Sequence, residues 1–237
     1  MSDKRCESGL GHDGTNMKEN RTINAVAVAI AAVAWYGLHL SFHPHPPNID
    51  PRPHEGVGEV LAAEAMRVRE PGGRIIVIAR ASEPFQVPAS AAQVDAFLRA
   101  VKKLGGTVAV TQKIKADPLR IASVPPGDFF ELMRNGRDND VIVSFLGPPV
   151  LSQDQLAKLG KKRPFVLAVC SGAMPAQVDL KGLFEQKLLS AAVVSRNSTL
   201  TRLATGDRQK AFDQMFRLIT ASNVSELPGT GAGRKLI

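Results

Sequence analysis

Residues 74–79 read RIIVIA and residues 141–146 read VIVSFL. Each is a short apolar run with almost no polar alternation, rich in β-branched side chains. Such runs suit strands buried on both faces, which must be covered by helices. The segment between them supplies one cover. Over 89–104, Val94, Phe97, Leu98, Val101 and Leu104 fall on one helical face, Ser90 is placed to cap the start, and Gly105-Gly106 stops the helix.

The same alternation extends outward. A helix over 59–69 runs through Pro71-Gly72-Gly73 into the first strand, and a second strand follows at 107–114. Downstream come helices at 128–134, 152–159 and 180–187, with strands at 141–146, 164–169 and 191–195. A last helix is expected over 207–220, where Phe212, Met215, Phe216 and Ile219 share a face. Strands that alternate with helices build a parallel sheet with right-handed crossovers. The predicted fold is α/β: a doubly wound, mostly parallel five-stranded sheet, Rossmann-like or flavodoxin-like, over 56–222, with a disordered tail at 223–237.

Upstream, residues 23–42 read INAVAVAIAAVAWYGLHLSF. About 20 apolar residues at 1.5 Å each match a bilayer core of ~30 Å. Lys18 and Arg21 precede the run and only histidines follow it closely, so the positive-inside rule puts the N-terminus in the cytoplasm. The expectation is a single-pass membrane protein: a cytoplasmic tail at 1–22, an anchor at 23–42, a proline-rich linker at 43–55, and a periplasmic or other extracytoplasmic domain. A cleaved signal peptide is the competing reading, but the small-residue cleavage pattern is missing. Translation from Met17 instead of Met1 would leave MKENRT before the apolar run.

The chain of 237 residues carries 30 Lys and Arg against 22 Asp and Glu, a net charge of +8. The first 47 residues are balanced, so the basic excess falls on the predicted domain. It forms no dense block or stripe, and only 5% of residues are aromatic. Both features argue against a nucleic-acid partner. Cys6 and Cys170 lie on opposite sides of the predicted anchor and cannot pair within one chain.

In open α/β sheets, ligands sit beyond the carboxyl ends of the strands. That rule selects Arg80, Ser82 and Glu83 after the first strand, Lys113 and Lys115 after the second, and Gly147 and Pro148 after the third. It adds Cys170, Ser171 and Gly172 after the fourth, and Ser195, Arg196 and Asn197 after the fifth. The proposed ligand-binding set is Arg80, Ser82, Glu83, Lys113, Gly147, Ser171, Gly172, Ser195, Arg196 and Asn197. No catalytic residue is assigned. Cys170 would need a base, and the five histidines (His12, His39, His43, His45, His54) all precede the predicted domain. No glycine-rich phosphate loop follows a strand, so no cofactor is expected. The loose histidine group lacks a completing ligand set, so no metal is assigned. LPGTG at 227–231 has the form of a sorting signal, but only AGRKLI follows it.

Four stretches carry a resemblance: EVLAAEAMRVREPGGRIIVIA, QVDAFLRAVKKLGGTVAV, NDVIVSFLG and LLSAAVVSR. In order and spacing they resemble one lobe of a type I periplasmic binding protein, the sugar and amino-acid receptor family. The resemblance covers about 59–220. It implies a non-enzymatic binding module for a small polar solute or a protein partner. The alternative is a non-catalytic scaffold in a cell-envelope complex. That family clamps its ligand between two lobes and this chain has room for one, which leaves pairing of two chains as a homodimer open.

Overall fold

The computed structural model describes residues 14–42, 49–81, 87–115, 124–196 and 206–227. The chain divides into two units, Met1–Pro46 and Pro47–Ile237.

The first unit contains helix α1, Gly14–Phe42. Its Val26, Val28, Ile30, Val33, Trp35, Tyr36 and Leu38 are exposed. Among the described residues, no helix is long and apolar enough to cross a membrane. The expected anchor at 23–42 is therefore corrected, and with it the single-pass topology with a cytoplasmic N-terminus and an extracytoplasmic domain. The physical reason lies in composition. Ala25, Ala27, Ala29, Ala31, Ala32 and Ala34 are six of the twenty residues in the apolar run, and a methyl side chain contributes less transfer free energy than the larger apolar groups. Asn24, Trp35, Tyr36 and His39 weaken it further.

The second unit holds a six-stranded sheet in the order β2-β1-β3-β4-β5-β6. The strands are β1 Ile75–Arg80, β2 Val108–Ile114, β3 Val141–Ser144, β4 Phe165–Cys170, β5 Ala191–Ser195 and β6 Phe216–Thr220. All pairings are parallel except β5 with β6, which is antiparallel. Strands β3, β4 and β5 are almost wholly buried, as the unbroken apolar runs demand. Strand β2 is an edge and is largely exposed.

Side chains alternate between two cores. Ile75, Val77, Val143, Leu167 and Val193 face one layer, with Leu61 of α2 (Arg52–Val68), Phe97 of α3 (Pro88–Lys103) and Phe212 of α8 (Arg208–Met215). Ile76, Ile78, Ile142, Ala168 and Val194 face the other, with Phe129 of α4 (Pro126–Asn135) and Phe184 of α7 (Leu180–Glu185). Two short helices, α5 (Gln153–Lys158) and α6 (Met174–Gln177), complete the connections. Helices α2 and α3 pack closely: a Cβ on Gly58 would lie 2.3 Å from the Gln93 carbonyl oxygen and 2.6 Å from the Phe97 nitrogen.

Three sequence expectations change. The helix expected over 207–220 ends at Met215, and Phe216–Thr220 becomes β6. FRLIT covers the free edge of β5, whose backbone groups would otherwise lack partners. The sheet accordingly has six strands and is mixed. Residues 52–55, expected in the linker, form the first turn of α2, where proline near the start is favourable because its missing N–H has no helical acceptor. Helix α3 starts at Pro88 behind Val87, so Ser90 lies inside the first turn and is not its cap.

The amino ends of the central strands are pinned by Asp140. Its buried carboxylate accepts from the backbone N–H of Arg74 at 2.8 Å and of Arg137 at 3.0 Å, and from Arg74 Nη2 at 2.6 Å. Burial works to raise its pKa, but these donors outweigh it and hold the carboxyl at about 2.

Candidate functional site

The connection from β1 runs to β2 on one side and that from β3 runs to β4 on the other, so the strand order reverses between β1 and β3. A crevice forms at such a switch point, beyond the carboxyl ends of the strands. Here it is a cavity of about 620 Å³. Arg80 closes β1, Phe145 and Leu146 follow β3, Val169 and Ser171 mark the end of β4, and Ser195 and Arg196 the end of β5. The other walls come from elements above the sheet: His54 on α2, Val87, Ala89, Ser90 and Gln93 at the start of α3, and Met215 and Phe216 where α8 meets β6.

Hydrogen bonds fix several of these groups. The Gly172 N–H donates to Ser195 Oγ at 3.2 Å, tying the turn after β4 to the end of β5. The Arg196 N–H donates to the Met215 carbonyl at 2.8 Å, and Arg196 Nε to the Phe216 carbonyl at 3.1 Å. Gln93 is buried, and its Nε2 lies 3.4 Å from His54 Nδ1. An amide donating there assigns the imidazole proton to Nε2. The His54 ring meets Phe216 edge-on at 5.8 Å, and Phe97 meets Phe145 likewise at 5.6 Å. Desolvation lowers the His54 pKa, against a smaller opposing pull from Asp50, so the ring is neutral at pH 7.

Four residues selected from the sequence come together in the cavity: Arg80, Ser171, Ser195 and Arg196. Gly172 stands beside them through its bond to Ser195. Gly147 is a buried turn residue after β3 with φ 100°, outside the lining. Lys113 is not brought in either: it sits exposed on edge strand β2, opposite Ala79. Ser82, Glu83 and Asn197 lie outside the described residues. Cys170 is fully buried in the core on the opposite layer from Phe97, and burial pushes its thiol pKa up, away from the reactive thiolate.

The strand-end rule missed His54, Ser90, Gln93 and Phe216. The histidine reading is corrected in one respect, since His54 belongs to the α/β unit. A proline placed at a helix start was the available signal for both His54 and Ser90. Among the described residues, no group of three His, Cys, Asp or Glu side chains gathers to hold a metal ion.

No protein-family model matches the chain, and no curated protein does either. Solved structures do. The chain is similar to solved structures of sugar-binding proteins. An arabinose-binding protein from Geobacillus stearothermophilus matches 74% of this chain and 63% of its own, at 14% identity and a TM-score of 0.47. A carbohydrate-transporter solute-binding protein from Agrobacterium radiobacter, in complex with D-arabinose, matches 75% and 61% at 12% identity and 0.46. A sugar-binding protein of an ABC transporter from Bacillus halodurans matches 74% and 64% at 13% identity and 0.45. The chain thus spans about three-fifths of the length of the structures it matches. These sugar-binding proteins are of the kind the sequence resembles.

Proposed function

We propose that the α/β unit is a binding module for a small polar solute, held without turnover beyond the carboxyl ends of β1, β3, β4 and β5. The observation that carries this reading is the cavity of about 620 Å³, large enough for a small metabolite. Its mixed lining supports it: apolar walls from Phe145, Leu146 and Phe216, with a few converging polar groups from Arg80, Ser171, Ser195 and Arg196. Apolar walls exclude water from the ligand's carbon skeleton, while the polar groups fix its orientation. Binding without chemistry fits a site whose neighbouring thiol is buried in the opposite core and whose imidazole is neutral and engaged with Gln93.

The test is a thermal-shift screen of the full chain against sugars, amino acids, sugar acids and sugar phosphates. A ligand at a hundredfold excess over its Kd stabilises by ~2.7 kcal/mol. For a protein of this size that raises Tm by roughly 5–10 °C. Ser171→Trp, at an exposed position on the cavity rim, should abolish the shift and leave the unliganded Tm unchanged. No shift with any solute, or a shift that Ser171→Trp leaves intact, overturns the reading.

A further inference from the structure

The charges in the cavity are one-sided. Arginines elsewhere in the unit meet carboxylates: Arg52 with Asp50, Arg74 with Asp140, and Arg208 with both Glu55 and Glu59. Among the described residues, Arg80 and Arg196 form no ion pair and no Asp or Glu lines the cavity with them. Arg196 uses Nε on the Phe216 carbonyl, which fixes the plane of its guanidinium and leaves its two terminal nitrogens as donors. The 16-residue helix α3 also begins here, with Ala89 and Ser90 of its first turn in the lining. First-turn N–H groups lack intrahelical acceptors and carry the positive end of the helix dipole. Ser90, Ser171 and Ser195 add hydroxyls.

Two cations and a positive helix end in one concave site repel each other, and the described lining does nothing to offset that. A bound oxyanion does. We infer that the solute is a small organic anion whose carboxylate or phosphate group is gripped between Arg80 and Arg196, with its carbon skeleton against Phe145 and Phe216. The inference rests on the binding-module reading and narrows it to an anionic ligand class. Planar guanidinium groups match both oxyanions through paired N–H donors, and neutral sugars lack the complementary charge.

The test is calorimetric titration of the full chain with inorganic phosphate, succinate, D-gluconate, glucose 6-phosphate and, as the neutral comparison, D-arabinose. At least one anion should bind while D-arabinose does not, and the carboxylate and phosphate probes separate the two oxyanion sources. Arg80→Gln and Arg196→Gln should each weaken the bound anion ~10–100-fold, the loss expected for a charge-assisted hydrogen-bonded contact. Lys103→Gln removes the same charge from an exposed site at the far end of α3 and should leave affinity unchanged. Circular dichroism and Tm of each free variant establish that it folds. If D-arabinose binds and both arginine variants keep that affinity, the anion inference fails and the binding module stands. If Lys103→Gln weakens the anion as much as Arg80→Gln, net charge alone is responsible and the inference fails. If no probe binds while the wider thermal-shift panel yields a neutral ligand, the anion inference alone fails; if neither finds a ligand, both readings fail.

Discussion

Asp140 sets a quantitative expectation for stability against pH. Its carboxyl is held at about 2, well below the ordinary aspartate value of 3.8. Because the folded pKa is the lower one, the stabilisation is fully present above the unfolded value and is lost as pH falls through the folded value. A gap of this size is about 2 kcal/mol near neutral pH, at about 1.4 kcal/mol per tenfold change in proton affinity. By about pH 2.5 roughly a third of it remains. The perturbation is Asp140→Asn, which keeps the side-chain shape, removes the charge and weakens the grip on the Arg74 and Arg137 N–H groups. The assay is urea unfolding of both proteins at several pH values, comparing midpoints at equal slope. The wild-type advantage should be about 2 kcal/mol or more near neutrality and shrink by more than 1 kcal/mol toward pH 2.5. An advantage that is the same at both ends would refute the argument, because it would assign Asp140 a purely steric or neutral hydrogen-bonding role.

Two further expectations concern packing. Gly58→Ala places a methyl within 2.3 Å of the Gln93 carbonyl oxygen, so α2 and α3 must separate; a loss of ~1–3 kcal/mol in unfolding free energy is expected, with an unchanged Tm as the opposing result. Cys170 is fully buried, so in a variant with Cys6 replaced by Ser the single remaining thiol should resist a maleimide until denaturant is added; prompt labelling of the native protein would contradict the packing.

The central sheet was legible in the sequence because β1, β3, β4 and β5 are apolar without interruption. Strands buried on both faces show no competing pattern, and the glycine turns before β1 and β2 set their starts. The terminal strand was not legible. Phe212, Met215, Phe216 and Ile219 satisfy a helical spacing, and nothing local distinguishes FRLIT as a strand until the open edge of β5 is there to receive it. The start of α2 was hidden for the opposite reason. Prolines that keep a linker extended are equally at home in a first helical turn, and only the burial of Pro53 against the domain tells the two apart. The membrane expectation is overturned because, among the described residues, no helix is long and apolar enough to cross a membrane; alanines, Asn24 and His39 dilute the larger apolar side chains of 23–42.

The same distinction separates the half of the site that could be read from the half that could not. Arg80, Ser171, Ser195 and Arg196 follow directly from strand ends, because a parallel sheet delivers every carboxyl end to one rim. His54, Gln93 and Phe216 reach that rim from elements packed over it, and their places depend on packing that no local pattern encodes. Phe216 is the clearest case. As part of a helix it would have been one more core residue. As the first residue of β6 it meets the His54 ring, and its carbonyl accepts from Arg196 Nε, so the error in secondary structure concealed one wall of the cavity and the group that orients a guanidinium. The antiparallel strand thus does more than finish the sheet. By capping the edge of β5 it fixes Arg196 at the cavity wall, with its outer nitrogens placed for the proposed anion.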